Sequence, residues 1–161
     1  MKIALSSINF CGKPENFAVI DKCLSRSAQP QREDFAWLKE QGVTDIINFR
    51  TMFNNEVKFN EESEVIESGM RYHSIPSITK KPKKENIDKF LKLVEEIKTM
   101  GGKAHIHCKA GADRTGMYAF IYKMKNGIQS LPANLAEWYA LGYHYKLYPD
   151  LIKWAIKFVN K

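Results

Sequence analysis

The segment His107-Cys108-Lys109-Ala110-Gly111-Ala112-Asp113-Arg114-Thr115-Gly116 brings a thiol, a guanidinium, a carboxyl and a hydroxyl close together in the chain. A tetrahedral dianion needs several N–H donors converging on one point. A loop curled onto a helix N-terminus supplies them. Ala110, Gly111 and Ala112 are small enough to let the backbone close in, and Gly111 permits a φ that other residues resist. Arg114 can fork two parallel hydrogen bonds onto two oxygens of such an anion, which Lys cannot do. Cys108 faces the same cradle, where the helix dipole and Arg114 favour its thiolate, the nucleophilic form. Attack on phosphorus would give a phosphocysteine and split one difficult step into two. The loop amides would meet the charge that develops on the equatorial oxygens. Thr115 places a hydroxyl near Cys108, to stabilise the thiolate or assist its departure. This chemistry requires no cofactor and no metal, and no ligand set for a metal accompanies the segment.

These residues need a strand before them and a helix after them. Lys103 to His107 reads as the strand, and Thr115 to Lys125 as the helix, closed by Asn126-Gly127. Upstream, Phe17 to Cys23 predicts a first strand. A helix opening at Pro30 carries Phe35, Trp37 and Leu38 and stops at Gly42. Thr44 to Phe49 reads as a buried strand, Glu56 to Ser68 as a polar helix closed by Gly69, and Arg71 to Ile75 as a short strand. Ile87, Phe90, Leu91, Val94 and Ile97 mark one face of an amphipathic helix ended by Gly101-Gly102. Two more helices start at Pro132 and Pro149, since Pro suits a first helical turn. The alternation predicts an α/β fold, a sheet flanked by helices, in a single domain over residues 1–161.

Composition limits the function classes. The chain has 161 residues, 44% hydrophobic and 27% charged, as an ordinary globular protein does. No apolar run is long enough to span a bilayer. Met1 to Phe10 has too short an apolar stretch for a signal peptide. A cytoplasmic protein without stable membrane insertion is expected, and a monomer. The net charge of +7 suits an anionic substrate. The lysines are spread along the chain apart from Lys80, Lys81, Lys83 and Lys84, and no aromatic-basic interleaving suggests nucleic acid. Cys11, Cys23 and Cys108 give an odd count without a disulfide framework. Cys11 and Cys23 read as small, partly buried hydrophobes, with a reversible disulfide from either to Cys108 as the alternative.

The segment resembles the His-Cys-x5-Arg-Ser/Thr signature of the protein-tyrosine and dual-specificity phosphatase superfamily. Leu24 to Pro30 and Gly42 to Arg50 are similar to the N-terminal half of its small bacterial dual-specificity-like members. The resemblance implies a protein-tyrosine-phosphatase-like fold with a central mixed sheet of four to five strands. Carried over by position, Cys108 is the nucleophile, Arg114 the phosphate clamp, Lys109 to Arg114 the phosphate-binding loop, His107 its support and Thr115 an aid to the second step. The implied substrates are phosphotyrosine or dual-specificity protein substrates. Most members take a general acid, usually an Asp, from an upstream loop. Here that loop, Ile75 to Pro82, holds no Asp or Glu. Glu85 and Asp88 follow it, where they suit the first turn of a helix. A subset, including myotubularins and a bacterial group, reads Cys-x4-Asp-Arg, as this chain does at Asp113. In the bacterial group that Asp is the general acid. Asp113 is therefore the candidate acid, against the alternative that it bonds loop amides or a Lys. Lys109 is similar to the Lys of tensin-type lipid phosphatases. With the lysines at 80–84 it opens inositol phosphates or phosphoinositides as alternative substrates.

Two other functions compete. A phosphate-binding module without turnover would explain the missing upstream acid but needs no Cys108. A redox protein can use a Cys-x5-Arg loop, yet arsenate reductases place it at the N-terminus, and rhodanese-like loops lack the His-Cys and Arg-Thr-Gly edges. His105 reads as a packed or partly exposed strand residue. Trp138, Tyr139, Tyr143, Tyr145 and Tyr148 read as core and helix packing, and Arg26 and Arg50 as strand-end residues that could reach the site but fit structural salt bridges better.

Overall fold

The computed structural model describes residues 12–51 and 57–161. Five strands, β1 (Ala18–Asp21), β2 (Leu24–Ser27), β3 (Asp45–Asn48), β4 (Arg71–Ser74) and β5 (Ala104–His107), form one mixed sheet in the order β1-β2-β5-β3-β4. Around it lie the helices α1 (Asp34–Glu40), α2 (Glu61–Glu67), α3 (Lys84–Thr99), α4 (Arg114–Lys125), α5 (Leu131–Ala140) and α6 (Pro149–Val159). No helix among the described residues is long and apolar enough to cross a membrane.

Only β1 is antiparallel, to β2. The strand expected over Phe17–Cys23 is one arm of a hairpin whose turn is closed by the Cys23 amide on Asp21 Oδ1 at 2.7 Å. The helix expected from Glu56 starts at Glu61, capped by Asn60, which accepts from the Ser63 amide; Glu56 lies outside the described residues.

The remaining strands run parallel and in step. Ser27 pairs with His107, His107 with Asn48, and Asn48 with Ser74. Four carboxyl ends therefore finish at one level, the edge at which parallel α/β sheets bind ligands. Strand β5 is central and every one of its residues is buried, as a doubly covered parallel strand requires.

Alternation along the strands assigns residues to two cores. Ile47 and Ile106 face α3, α4 and α6, whereas Ile46 faces α1 and α2 with Phe35, Leu38 and Val65. On α3, Ile87, Phe90, Val94 and Ile97 are buried, each contributing about 2 kcal/mol, and Leu91 is only partly covered. Helix α4 is buried along most of its length, and Tyr118 stacks on Phe49 with ring centres 3.8 Å apart.

At the other end of β3, the buried Asp45 carboxylate accepts from Arg71 Nε and Nη2 at 2.8 Å, from His73 Nε2 at 2.8 Å and from Thr44 Oγ1 at 2.6 Å. Burial alone would push this carboxyl up. The bonds from His73, Arg71 and Thr44 outweigh it and hold the carboxyl well below the usual range. A depressed folded-state value contributes stability above the unfolded value, about 3.9, and that stability is lost as pH falls through the folded one. Asp45→Ala is expected to lower stability by about 3 kcal/mol in urea titrations. It should also flatten the loss of stability below about pH 4 that the unaltered chain shows.

Candidate active site

Strand β5 ends at His107 and α4 begins at Arg114, so residues 108–113 form the connecting loop. Nearly every carbonyl of this loop is tied to a donor on its outer side. Lys109 O accepts from the Gln29 amide at 2.9 Å, and Ala110 O from Asn16 Nδ2 at 3.2 Å. Gly111 O accepts from Arg26 Nη2 at 2.6 Å, and Ala112 O from Trp138 Nε1 at 2.9 Å. Among the described residues there is no cis peptide bond. In a trans peptide the carbonyl and the next amide point opposite ways. Turning the carbonyls of Lys109 to Ala112 outward therefore turns the amides of Ala110 to Asp113 inward. Those amides donate to no acceptor among the described residues. Inward amides at the start of a helix are the arrangement that suits an anion, and here it is made by holding the back of the loop.

Two glycines make the hold possible. Gly111 has φ +71°, and a Cβ there would sit 2.5 Å from the backbone of Ser27 and Ala28. A Cβ on Gly116 would sit 2.1 Å from Trp138 Nε1. Arg26, expected in a salt bridge, is instead a buried brace of the loop, 2% exposed. Burial pushes its guanidinium down to about 10, against the opposing charges of Cys108 and Glu137.

Cys108 and Arg114 line one cleft of about 570 Å³, together with Lys80, Lys109, Asp113 and His144. Cys108 is 2% exposed at its floor. Arg114 Nη1 approaches the Ser77 carbonyl at 3.4 Å, and Ser77 Oγ bonds the Tyr118 hydroxyl at 2.6 Å. Burial pushes Tyr118 up to about 12, partly offset by Ser77 and Arg114. Thr115 is fully buried and its Oγ1 has no hydrogen-bond partner among the described residues.

His107 lies beneath the loop. Its Nδ1 contacts Cys108 O at 3.2 Å and its Nε2 bonds Glu61 Oε2 at 2.8 Å. Gln29 donates to the other Glu61 oxygen and accepts from Arg50 Nη1 at 3.0 Å. Burial would push Glu61 up, but the His107 charge and hydrogen bond, with Gln29 and Arg50, hold it below the usual range. His105 is fully buried between Ser25 Oγ at 2.8 Å and Ser27 Oγ at 2.7 Å. Ser27 gives its proton to Ala28 O, so it accepts from His105 Nε2–H, and His105 Nδ1 then accepts from Ser25. Burial pushes this imidazole well down, so it is neutral.

Asp113 is held on both oxygens by His144, a residue that no sequence motif singles out. Oδ1 accepts from the His144 amide and Oδ2 meets His144 Nδ1, each at 2.8 Å. Nothing local in the sequence joins Asp113 to a histidine 31 positions away. Glu85 and Asp88 line a separate groove with Lys83 and Lys84, and Lys84 pairs with Asp88. Only Lys80 of the 80–84 cluster lines the cleft. Tyr148 lines it too, while Trp138 holds the loop, so the aromatic run does more than pack. A Cys23–Cys108 disulfide does not fit. Cys23 adjoins the start of β5 through the Ala104 amide, and Cys108 follows its end, about 13 Å away along the strand. A disulfide needs Cα atoms within about 7 Å. Cys11 lies outside the described residues.

A parallel edge presenting a Cys-to-Arg anion loop defines the class of phosphatases with the protein-tyrosine-phosphatase-like fold. A family model described as a DSP-PTPase phosphatase fused to NAD+ kinase matches residues 15–140, and the chain belongs to this family. No curated protein matches it. Solved structures share the fold. One is a DUF442 protein from Shewanella putrefaciens CN-32 described as a phosphatase, at 22% identity and TM-score 0.78, covering 96% of this chain and 94% of that one. TpbA of P. aeruginosa follows at 21% and 0.73, covering 89% and 84%; a structure of a variant of it holds pTyr. The core catalytic domain of the S. cerevisiae PP-IP phosphatase SIW14 aligns at 22% and 0.67, covering 81% and 78%.

Arg26→Met keeps the bulk of the side chain and removes the donor to Gly111. Vanadate affinity is expected to fall about tenfold, one lost hydrogen bond of about 1.4 kcal/mol, as read by calorimetry. Gly111→Ala, strained and overlapping Ser27, should lose vanadate binding altogether.

Proposed function

We propose that this chain hydrolyses phosphate monoesters of phosphotyrosine or dual-specificity protein substrates through a phosphocysteine intermediate. The observation that carries this reading is the inward-turned amide nest sharing one cleft with Cys108 and Arg114. The thiolate of Cys108 attacks phosphorus while the amides of Lys109 to Arg114 and the Arg114 fork hold the three non-bridging oxygens. The ester oxygen leaves with a proton supplied from the Asp113 side of the cleft. Water then displaces the sulfur. His107 fixes the loop from below through Cys108 O, and the unpartnered Thr115 hydroxyl stabilises the departing thiolate. A free nucleophilic thiol suits a reducing compartment, which supports reading the enzyme as cytoplasmic.

A structural neighbour whose variant holds pTyr supports the leading substrate class. A second class, inositol phosphates, is favoured by Lys80 and Lys109 on the cleft wall and by likeness to a PP-IP phosphatase.

The unaltered chain should hydrolyse para-nitrophenyl phosphate under reducing conditions and be inhibited by vanadate. Cys108→Ser should abolish turnover, and Arg114→Lys should lower kcat/KM by about 10²–10³-fold. An inactive chain that still binds vanadate would mark a phosphate-binding module. In a substrate panel, phosphotyrosine peptides should exceed inositol phosphates in kcat/KM. The opposite order would select the second class.

A further inference from the structure

Resting on the phosphatase reading above, we propose that His144 is the general acid and base of the cleft and that Asp113 is the carboxylate that orients it. Both Asp113 oxygens are occupied by His144, one by its amide and one by its ring. A carboxylate only accepts, so the shared proton sits on Nδ1. Nε2 has no protein partner among the described residues, and His144 lines the cleft that holds Cys108 and Arg114. Exposure separates the two members. The Asp113 side chain is 13% exposed and that of His144 is 49%. Asp113 is the inner group and His144 the outer one. Were Asp113 to give up a proton itself, it would have to break one of its two bonds. His144 gives up the Nε2 proton with both bonds intact, as a histidine steadied by a buried carboxylate does in acyl transfer.

The position is braced as a reacting group requires. The His144 carbonyl accepts from the amides of Leu147 and Tyr148 at 3.0 Å, so both backbone groups of residue 144 are engaged. The charged and titratable groups facing it are Asp113, Cys108, Lys109 and Arg114 from the loop and α4, Lys80 from the loop before α3, and Tyr148 from its own loop. Of these side chains the imidazole is the one built to pass a proton both ways, one ring nitrogen held by a partner while the other donates or accepts.

The step balances. Sγ of Cys108 forms a bond to phosphorus as the P–O ester bond breaks, and imidazolium Nε2–H gives its proton to the departing oxygen. Neutral Nε2 then takes a proton from water, whose oxygen bonds phosphorus as the S–P bond breaks. Phosphate leaves, and the thiolate and imidazolium are restored.

The test is a series of aryl phosphates of rising leaving-group basicity, measured for the unaltered chain and for Asp113→Asn, His144→Asn and His144→Phe. Asn at 144 retains a donor for Asp113 but carries no titrating proton, so it separates acid catalysis from positioning. Expected for both His144 variants is a kcat loss of about 10²-fold on phenyl phosphate. Dinitrophenyl phosphate, whose leaving group needs no proton, should fall by less than about fivefold, and the alkaline limb of the pH profile on phenyl phosphate should disappear. The proposal is overturned if His144→Asn keeps the leaving-group dependence and pH profile of the unaltered chain. It is also overturned if only Asp113→Asn loses the acid. Failure of the unaltered chain on every aryl phosphate would instead overturn the phosphatase reading.

Discussion

The whole arrangement depends on the outward commitment of the carbonyls of the 108–113 loop. A peptide unit is rigid, so an amide cannot be aimed except by capturing the carbonyl on its other side. The captors come from far apart in the chain: Asn16, Arg26 and Gln29 on one side, Trp138 on the other. The sheet and helices serve this loop. In-step parallel strands bring Ser27 and Ala28 against Gly111, and α5 brings its indole over Gly116.

Much of this was legible in the sequence, and what was missed has a common cause. The strand, loop and helix around Cys108 were readable because each peptide there carries a local signal: small residues, an Arg at fixed spacing, and a buried strand ahead of a helix. The amphipathic face of α3 was readable for the same reason. Strand β2 was not. Leu24-Ser25-Arg26-Ser27 lacks apolar alternation because Ser25 and Ser27 satisfy His105 and Arg26 serves the loop. Sequence shows a residue's type, whereas its partner across the fold here decides its role. The same holds for His144, which sits in a loop after α5 and whose partner is a residue of the anion loop. The Lys80–Lys84 cluster shows the converse. Adjacency in sequence suggested one patch, but the entry into α3 sends Lys83 and Lys84 to another groove.

Beneath the loop the fold keeps its polar groups paired. The His107–Glu61–Gln29–Arg50 chain links the end of β5 to the start of α2 and the end of β3. His105 is neutral and has both ring nitrogens satisfied, so it adds no charge beside the cleft. On the cleft wall itself, positive charge stands at Arg114, Lys80 and Lys109.

Arg26 is a cation enclosed in the protein, with Nη2 committed to the Gly111 carbonyl. Anything that pulls the Gly111 carbonyl away strips that guanidinium of an acceptor inside the protein. The enclosed ion then weighs against the folded state, so the integrity of the domain and the set of one loop carbonyl are thermodynamically linked.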